Sequence, residues 1–441
     1  MNKPVQYPIR GRGASAIARD IERGVRQGRL APGAALPTVR ELAASLGVSP
    51  GTAAAAYRLL RGRGLLTAHG RRGTRVSGRP PLPVRSAPPV PSHLRDLSSG
   101  NPDPALLPSL LPGLARLDRR PRLYGEASKQ PELLAAAQAQ LAADGIASRA
   151  LAVVSGALEG LERVLQAHLA PGDPVAVEDP GYVGVLDLLA ALGLAALPVA
   201  VDDGGLRPEA LEPALAAGAH ALIVTPRAQN PTGAALDERR ARELRRVLER
   251  RPDVLVVEDD HAGPVAGSPA VTLCAGRERW AVVRSVSKWL GPDLRLSVVA
   301  GDAETIARVE GRQGLGSGWV SHILQSLVAR LWSDAATERR LARTAAVYAT
   351  RRGALLDALT RRGIAAHGRS GLNVWVPVPE EARVVASLAA AGWAVRAGER
   401  YRMKSPPAVR ITTATLAPRD ADRIAADLAR SLAPDARTAL T

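Results

Sequence analysis

The most informative stretch of the chain is Ser285-Val286-Ser287-Lys288-Trp289-Leu290-Gly291-Pro292-Asp293-Leu294-Arg295. It holds one of only four lysines in a chain that is otherwise rich in arginine. A guanidinium keeps its proton in proteins, whereas a partly buried amine can lose it and condense with an aldehyde. Lys288 is therefore a candidate nucleophile, and a surface lysine in a Gly/Pro turn is the alternative interpretation.

The residues around Lys288 suit a phosphorylated aldehyde. Residues 281–283 are Ala-Val-Val, which predicts a buried strand, and small polar residues follow it in a tight turn. In that turn Ser285, Ser287 and Arg295 could surround a phosphate. A lysine between hydrogen-bond donors to a phosphate is the arrangement expected for pyridoxal 5'-phosphate, a cofactor that forms a Schiff base with a lysine of the protein.

Two further apolar runs end in polar residues that fit the same cofactor. Residues 254–257 predict a buried strand that leads to Glu258-Asp259-Asp260-His261, and residues 221–224 predict a strand that leads to T-P-R-A-Q-N-P-T-G at 225–233. Open α/β sheets bind ligands at the carboxyl ends of their strands. An acid there can keep the pyridine nitrogen protonated, which makes the ring an electron sink.

These separated motifs, in this order, resemble the fold-type I, aspartate-aminotransferase-like domains over residues 97 to 440. The resemblance implies an α/β fold with a mostly parallel sheet, a large lobe at 97–318 and a smaller C-terminal α/β lobe at 353–441. It implies that Lys288 forms the Schiff base, Asp259 binds the pyridine nitrogen and Asn230 donates to the ring hydroxyl.

The same resemblance implies roles for a wider set of residues. Ser285, Ser287, Arg295 and the helix start Gly156-Ala157-Leu158 would bind the phosphate, and Tyr182 would stack on the ring. Tyr124 would contact the phosphate of the neighbouring subunit. Arg410 would bind a substrate or effector carboxylate. The helix start fits because N–H groups at a helix N-terminus face anions.

Two positions depart from the family pattern. His261 stands where these proteins usually place a tyrosine against the ring hydroxyl, which predicts poor transamination turnover. Imidazole changes protonation near pH 6.5 unless its surroundings shift the pKa. The alternative is a neutral histidine that makes the same hydrogen bond. Lys129 stands where the family has a glycine, and we expect only a surface change there.

Composition limits the class of protein. The 441 residues exceed what one hydrophobic core usually serves, so two or more domains are expected. The chain opens without a basic and apolar leader and has no run of eighteen apolar residues, which predicts a cytoplasmic protein. Its single cysteine, Cys274, excludes an internal disulfide and gives no metal cluster.

Charge is concentrated at the N-terminus. Residues 1–79 hold fifteen Lys and Arg and three acids, a net of +12, so the rest of the chain contributes only 17 − 12 = +5. A small, strongly basic module is typical of nucleic-acid binding. An arginine-biased, solvated surface is the alternative on charge alone.

The sequence pattern of that module predicts a winged helix-turn-helix. Ile17, Ile21 and Val25 have helical spacing, and Thr38 with Glu41 forms a predicted capping box for a second helix. Ser49 is the expected N-cap of a third helix, with Pro50 at its first position. Residues 65–76 then alternate like a hairpin with a basic tip.

This pattern resembles the GntR family over about seventy residues, through L-P-T-V-R-E-L-A at 36–43 and the wing at 70–76. The resemblance implies binding to double-stranded DNA. The third helix lacks the arginine or asparagine often found at its start, so direct base readout should be thin. The candidate DNA-contacting residues are Arg40, Ser49, Thr52, His69, Arg71, Arg72 and Arg75.

The predicted domains are therefore 1–77 for the DNA-binding module, 78–96 for a Pro-rich linker and 97–441 for the aminotransferase-like domain. Their combination resembles the MocR subfamily of GntR-type regulators, and the motifs look most like members linked to vitamin B6 salvage. The resemblance implies a homodimer that senses pyridoxal 5'-phosphate or an amino compound. A working aminotransferase with an accessory DNA-binding domain is the competing hypothesis.

Overall fold

The computed structural model describes residues 7–26, 29–31, 33–62, 65–68, 73–76, 89–117, 120–147 and 149–433. The chain forms two compact units. One comprises residues 1–88 with the short segments 170–173 and 187–196, and the other comprises the remainder. Among the described residues, no helix combines the length and the apolar character needed to cross a membrane.

The N-terminal module contains three helices and a hairpin: α1 (Ala14–Arg26), α2 (Val39–Leu46), α3 (Pro50–Gly62), β1 (Leu66–Ala68) and β2 (Thr74–Val76). β1 and β2 are antiparallel. Ile17 and Ile21 are fully buried and pack with Leu42, Tyr57 and Leu60 in one core. The predicted order of helix, helix-turn-helix and hairpin is what the described residues show.

Local hydrogen bonds fix the helix starts in this module. The Glu41 N–H donates to Thr38 Oγ1 at 3.2 Å and the Thr38 N–H donates to Glu41 Oε2 at 2.7 Å, which is the predicted capping box. Gly47 ends α2 in the left-handed region, with φ at 62°. At the start of α3, the Thr52 N–H donates to Ser49 Oγ at 3.1 Å, so Ser49 caps that helix.

The part of the chain after the N-terminal module, residues 89–433, alternates strands and helices, and its segments 170–173 and 187–196 belong to the first unit. Its first elements are β3 (Arg95–Asp96), α4 (Leu111–Leu114), α5 (Pro131–Ala143), β4 (Ala150–Val154), α6 (Ala157–His168), β5 (Pro174–Asp179), α7 (Val183–Ala191), β6 (Ala195–Asp202), β7 (Gly205–Leu206), α8 (Pro208–Ala216), β8 (Ala221–Val224) and α9 (Glu238–Glu249). The remaining elements are β9 (Leu255–Asp260), β10 (Trp280–Ser285), β11 (Ser297–Gly301), α10 (Ala303–Gly314), α11 (His322–Trp332), α12 (Ala335–Thr360), β12 (Asn373–Pro377), α13 (Glu381–Ala390), β13 (Trp393–Ala394), β14 (Arg396–Ala397), β15 (Ala408–Thr412) and α14 (Ala421–Leu432).

The large lobe is built on an eight-stranded sheet in the order β4-β11-β10-β9-β8-β5-β6-β7. Strands β5, β8, β9 and β10 are parallel to one another, whereas β11 runs antiparallel to both of its neighbours. The mostly parallel sheet was predicted from the alternation of apolar runs. The reversed strand β11 was not, because an apolar run carries no direction.

The small lobe has a three-stranded antiparallel sheet in the order β12-β15-β14. The two residues of β3 pair in parallel with β13 of the same lobe. Arg95 and Asp96, which the sequence analysis placed at the end of the linker, are therefore strand residues of this unit. Residues 77–88, the greater part of that linker, lie outside the described residues.

Four charged side chains form a largely buried cluster near the carboxyl ends of the central strands. They are Arg227, Asp260, Arg284 and Asp144. Arg227 donates to both carboxylate oxygens of Asp260, at 3.0 and 2.9 Å, and Arg284 Nε donates to the same carboxylate at 2.9 Å. Asp144, just after α5, accepts from Arg227 at 3.2 Å and lies 2.7 Å from Arg284 Nη2. The cluster ties together the end of α5, the loop after β8, β9 and β10.

Electrostatics explains why this cluster is stable without solvent. Burial alone would raise the pKa of Asp260, but the charges of Arg284 and Arg227 outweigh it and hold that pKa well below its usual range. Arg284 and Arg227 are both buried, so water cannot take the place of Asp260 as the partner of either guanidinium. Removing the carboxylate would leave two guanidinium groups without their main counter-charge.

Asp260→Asn is accordingly expected to lower the free energy of unfolding of this domain by about 3 to 5 kcal/mol, since one partner of a buried ion pair is lost. All six tryptophans lie between residues 280 and 393, so urea unfolding followed by intrinsic fluorescence reports on this domain. The matched control is Asp202→Asn, because Asp202 pairs with Arg240 but keeps 44% of its side chain exposed. That control should cost less than about 1 kcal/mol. Equal losses in both variants would contradict the assignment.

Candidate functional site

Lys288 lies in the turn that follows β10, and its side chain is half-buried. Its Nζ donates to the carbonyl oxygen of Gly100 at 2.7 Å. Burial lowers the pKa of Lys288 to about 8, with the positive charge of Arg410 acting in the same direction and Asp259 opposing it. A useful fraction of the amine is therefore neutral near physiological pH and able to attack an aldehyde.

Asp259 occupies the end of β9, with 4% of its surface exposed. Its Oδ1 atom is buried and has no hydrogen-bond partner among the described residues. Burial raises the pKa of Asp259 to about 7, the neighbouring Asp260 charge adds to this, and Lys288 opposes it. A buried acceptor without a donor is costly, so the site fits a ligand that presents an N–H to this oxygen.

Asn230 and Arg410 meet across the two lobes of the second unit. Arg410 Nη1 donates to Asn230 Oδ1 at 3.0 Å, which leaves the amide N–H groups of Asn230 to serve as donors. Arg410, on β15, is 3% exposed and also donates to the carbonyl oxygen of Ser98. Its guanidinium lies 5.1 Å from the ring centre of Tyr401. Its Nε atom is buried without a partner among the described residues, so the site has donor capacity left for an anion.

The loop that holds Asn230 is fixed by Gln229, a residue that the sequence analysis did not single out. Gln229 is fully buried and donates to Pro180 O at 2.8 Å and to Glu178 Oε2 at 3.2 Å. It accepts from the Thr232 N–H at 2.9 Å. Burial raises the pKa of Glu178 to about 8. In the sequence, the only sign of this role is that Gln229 directly precedes the N-P-T-G motif at 230–233.

The predicted phosphate-binding residues form a compact cradle at the start of α6. Arg295 Nη2 donates to Ser155 O at 3.0 Å, and Ser285 Oγ donates to Ser287 Oγ at 2.9 Å. Gly156 has φ at 111°, and a Cβ atom there would lie 2.5 Å from Arg295 Nη2. The cradle therefore requires glycine at 156. Ala157 and Leu158 begin α6, and the first N–H groups of a helix are suited to binding an anion.

Tyr182 and His261 complete the wall of the site. Burial raises the pKa of Tyr182, the charge of Asp259 adds to this and that of Arg410 opposes it, so the Tyr182 hydroxyl lies near both groups. Burial lowers the pKa of His261 to about 4, aided by the charge of Lys288 and opposed by Asp260. The surroundings thus shift this pKa away from 6.5, and the imidazole is neutral at physiological pH, as in the alternative of a neutral histidine. His261 has no hydrogen-bond partner among the described residues.

Tyr124 is not brought to this site within one chain. Its side chain is 92% exposed, and its ring packs edge-on against Trp319 with ring centres 5.5 Å apart. The other predicted residues around Lys288 converge, and their donors and acceptors fit pyridoxal 5'-phosphate: an anion cradle, an unpaired carboxylate oxygen, a free amide donor and a reactive amine. When bound, that cofactor supplies an aldehyde and an electron-withdrawing ring.

The candidate DNA-contacting residues differ in their exposure and in the hydrogen bonds that they already make within the protein. Arg40 on α2 is exposed, and the hydroxyls of Ser49 and Thr52 lie 2.9 Å apart at the exposed start of α3. Arg75 Nη1 donates to Gly33 O at 2.9 Å, so this arginine also anchors the hairpin to the loop before α2. His69, Arg71 and Arg72 lie outside the described residues.

Comparison with known families agrees with both units. The family model for aminotransferase class I and II matches residues 92–428, and the model for bacterial regulatory proteins of the gntR family matches residues 14–76. Among solved structures, a kynurenine aminotransferase from Pyrococcus horikoshii has a TM-score of 0.72 at 22% identity, covering 79% of this chain and 92% of that chain. At that identity the likeness shows the fold alone.

Two relatives match over most of the chain. The chain is 44% identical over 428 residues to the vitamin B6 salvage pathway transcriptional repressor PtsJ of Salmonella typhimurium, covering 96% of this chain and 99% of PtsJ. It is 31% identical over 413 residues to the HTH-type transcriptional regulator TauR of Rhodobacter capsulatus, covering 81% of this chain and 82% of TauR. The chain therefore belongs to the aminotransferase class I and II family, in the MocR-type architecture that places a GntR helix-turn-helix domain before the aminotransferase domain.

Proposed function

We propose that this chain is a DNA-binding transcription regulator whose aminotransferase-like domain binds pyridoxal 5'-phosphate through Lys288. The effector would be that cofactor or an amino compound that joins it, and the controlled genes would serve vitamin B6 or amino-compound metabolism. Similarity to PtsJ over 96% of the chain supports the regulatory part. The buried, partnerless Asp259 Oδ1 is the observation that carries the cofactor part.

The residues would divide the work as follows. Lys288 Nζ forms the covalent bond to the aldehyde carbon, and Asp259 accepts the hydrogen bond of the pyridine N–H. Asn230, held by Arg410, donates to the ring hydroxyl. The cradle of Gly156, Ser285, Ser287 and Arg295 binds the phosphate, and Tyr182 covers the ring.

An active aminotransferase remains the second candidate, because Arg410 keeps a buried donor for an amino-acid carboxylate. His261 favours the regulator. Its imidazole is shorter than the tyrosine side chain of the enzymes, so its N–H would meet the ring hydroxyl in a different geometry and would suit fast proton transfer there less well. Multiple-turnover conversion of an amino donor, at a typical enzyme rate of about 1 to 1,000 per second, would favour the enzyme.

A homodimer fits the surface around Tyr124. Leu111, Leu123 and Leu315 are exposed by 74%, 69% and 92%, and Ile323 by 60%. Exposed apolar side chains of this kind mark association surfaces. In the dimer Tyr124 would reach the partner's phosphate cradle. Since the regulated target is chromosomal DNA, we place the protein in the cytoplasm.

Lys288→Ala is expected to abolish covalent retention of the cofactor, because no other amine replaces Nζ in the site. Wild-type protein mixed with pyridoxal 5'-phosphate should be yellow and keep its visible absorbance band through dialysis, whereas the variant should lose both. Lys404→Ala is the matched control, because Lys404 is an exposed lysine. The assignment of Lys288 would be wrong if the wild type stayed colourless, or if the variant kept its yellow colour through dialysis.

The rate at which cofactor-free protein captures the aldehyde should rise with pH with its midpoint near pH 8 and level off at higher pH, because only the neutral amine of Lys288 reacts and its pKa is lowered to about 8. No step should occur near pH 6.5, where His261 is already neutral. Arg410→Gln removes a charge that lowers this pKa, so the midpoint should move upward. Rapid-mixing absorbance measurements test this, and a wild-type midpoint near 10 would contradict it.

Pyridoxal 5'-phosphate is expected to change the affinity for DNA upstream of neighbouring genes by about 5- to 150-fold, the usual range of allosteric coupling. Fluorescence anisotropy on one cofactor-free preparation, with and without added cofactor, measures the change. Lys288→Ala should bind the same DNA without this response, and Arg40→Ala should weaken binding in both states. Equal affinity in both states of the wild type would show that the domain does not sense the cofactor.

A further inference from the structure

Three side chains form a row across the small-lobe sheet. Arg410 on β15 pairs in register with Trp375 on β12 and with Arg396 on β14. Residues directly opposite each other in an antiparallel pair project from the same face. The row therefore lies on the face from which Arg410 reaches Asn230.

The opposite face of the same sheet confirms this orientation. Val374, Val409 and Val395, each one residue before a member of the row, belong to the small-lobe hydrophobic core. Side chains alternate between the two faces of a strand. Arg396 thus stands beside Arg410 on the side of the site, and it is half-buried there.

This placement puts two like charges next to each other. Like charges directly opposite in a sheet destabilise it unless something compensates them. The hydrogen-bond acceptors of Arg410 are neutral, namely Asn230 Oδ1 and Ser98 O. The side chain of Arg396 forms no ion pair or hydrogen bond with any described residue. The positive charge of Arg396 also adds to burial in lowering the pKa of Arg410, which shows that the two groups interact.

The carboxylate of Asp96, whose charge raises the pKa of Arg410, makes its hydrogen bonds elsewhere. Asp96 accepts from the Ser98 N–H at 2.8 Å, from Ser98 Oγ at 2.9 Å and from the Ser99 N–H at 3.1 Å. It makes no ion pair with Arg410 or Arg396 among the described residues. Together with the unpaired, buried Nε of Arg410, this leaves a local excess of positive charge and free donors facing the site.

We propose that Arg396 is a second anion subsite, so that the amino compound recognised beside Lys288 is a dicarboxylic amino acid. One carboxylate takes Arg410, and the second takes Arg396, where a planar guanidinium binds carboxylate in a fork. A single carboxylate would neutralise only one of the two arginines. This inference rests on the proposed function for the existence of an amino-compound effector, but the subsite itself is a property of the two arginines.

The test uses acids that lack an amino group and cannot react with a cofactor. Calorimetric titration of the full-length, cofactor-loaded protein compares succinate with butanoate, glutarate with pentanoate and adipate with hexanoate. The best-fitting dicarboxylate should bind at least about tenfold more tightly than its monocarboxylate, as expected for one added charged hydrogen-bond pair. No preference for any dicarboxylate in the wild type would overturn the proposal without needing a variant.

Variants locate the second contact. Arg396→Gln should weaken dicarboxylate binding about tenfold and leave monocarboxylate binding within about twofold, and Arg396→Lys should keep part of the preference. Arg410→Gln should weaken both ligand classes. Arg419→Gln, an exposed arginine of the same lobe, is the charge-matched control and should change neither. Equal weakening of both classes by Arg396→Gln would refute the subsite. DNA is absent from this experiment, so a failure to regulate any operator leaves its outcome unaffected.

Discussion

The arrangement of the site depends on the carboxylate of Asp260 and the two guanidinium groups that hold it. Asp260 follows Asp259 directly, Arg284 precedes Ser285, and Arg227 lies three residues before Asn230. One buried ion cluster therefore sets the relative positions of three of the segments around Lys288. Buried pairs of this kind add little net stability compared with apolar packing, but they tolerate no missing partner. Their value here is geometric, because donors aimed at a ligand must be held in place before it arrives.

The charges around Lys288 follow from the same arrangement. Asp260 is kept ionised, and its charge raises the pKa of the adjacent Asp259. Arg410 lowers the pKa of Lys288 and Lys288 lowers that of His261. Burial is the largest cause of the shifts of Asp259, Lys288 and His261, with one or two neighbouring charges adding to it, whereas the pKa of Asp260 is lowered by Arg284 and Arg227 against the effect of burial. The site thus holds an amine, Lys288, and an imidazole, His261, whose lowered pKa values favour their neutral forms. It also holds a carboxyl group, Asp259, that lacks a hydrogen-bond donor. These groups suit an aldehyde carried on a protonated pyridine ring.

Much of this was readable from the sequence because it is local. The capping box at Thr38 and Glu41, the strand at 221–224 and the turn at Lys288 each depend on neighbouring residues, and the structure places them as expected. Contacts between distant segments were not readable. The bond from Arg410 to Asn230 spans 180 positions and that from Lys288 to Gly100 spans 188. The neutral state of His261 likewise depends on burial and on Lys288, and neither is visible in the motif.

A ligand that donates to Asp259 Oδ1, as proposed for pyridoxal 5'-phosphate, would give this buried oxygen the partner that it lacks among the described residues. A ligand that binds only the folded state stabilises it by about 2.7 kcal/mol when its free concentration is a hundred times the dissociation constant. A change of that size alters the fraction of molecules that open and are taken by proteases about a hundredfold. If the cofactor binds as proposed, its supply would also set the lifetime of the protein in the cell, and scarcity of the cofactor would reduce the amount of the protein.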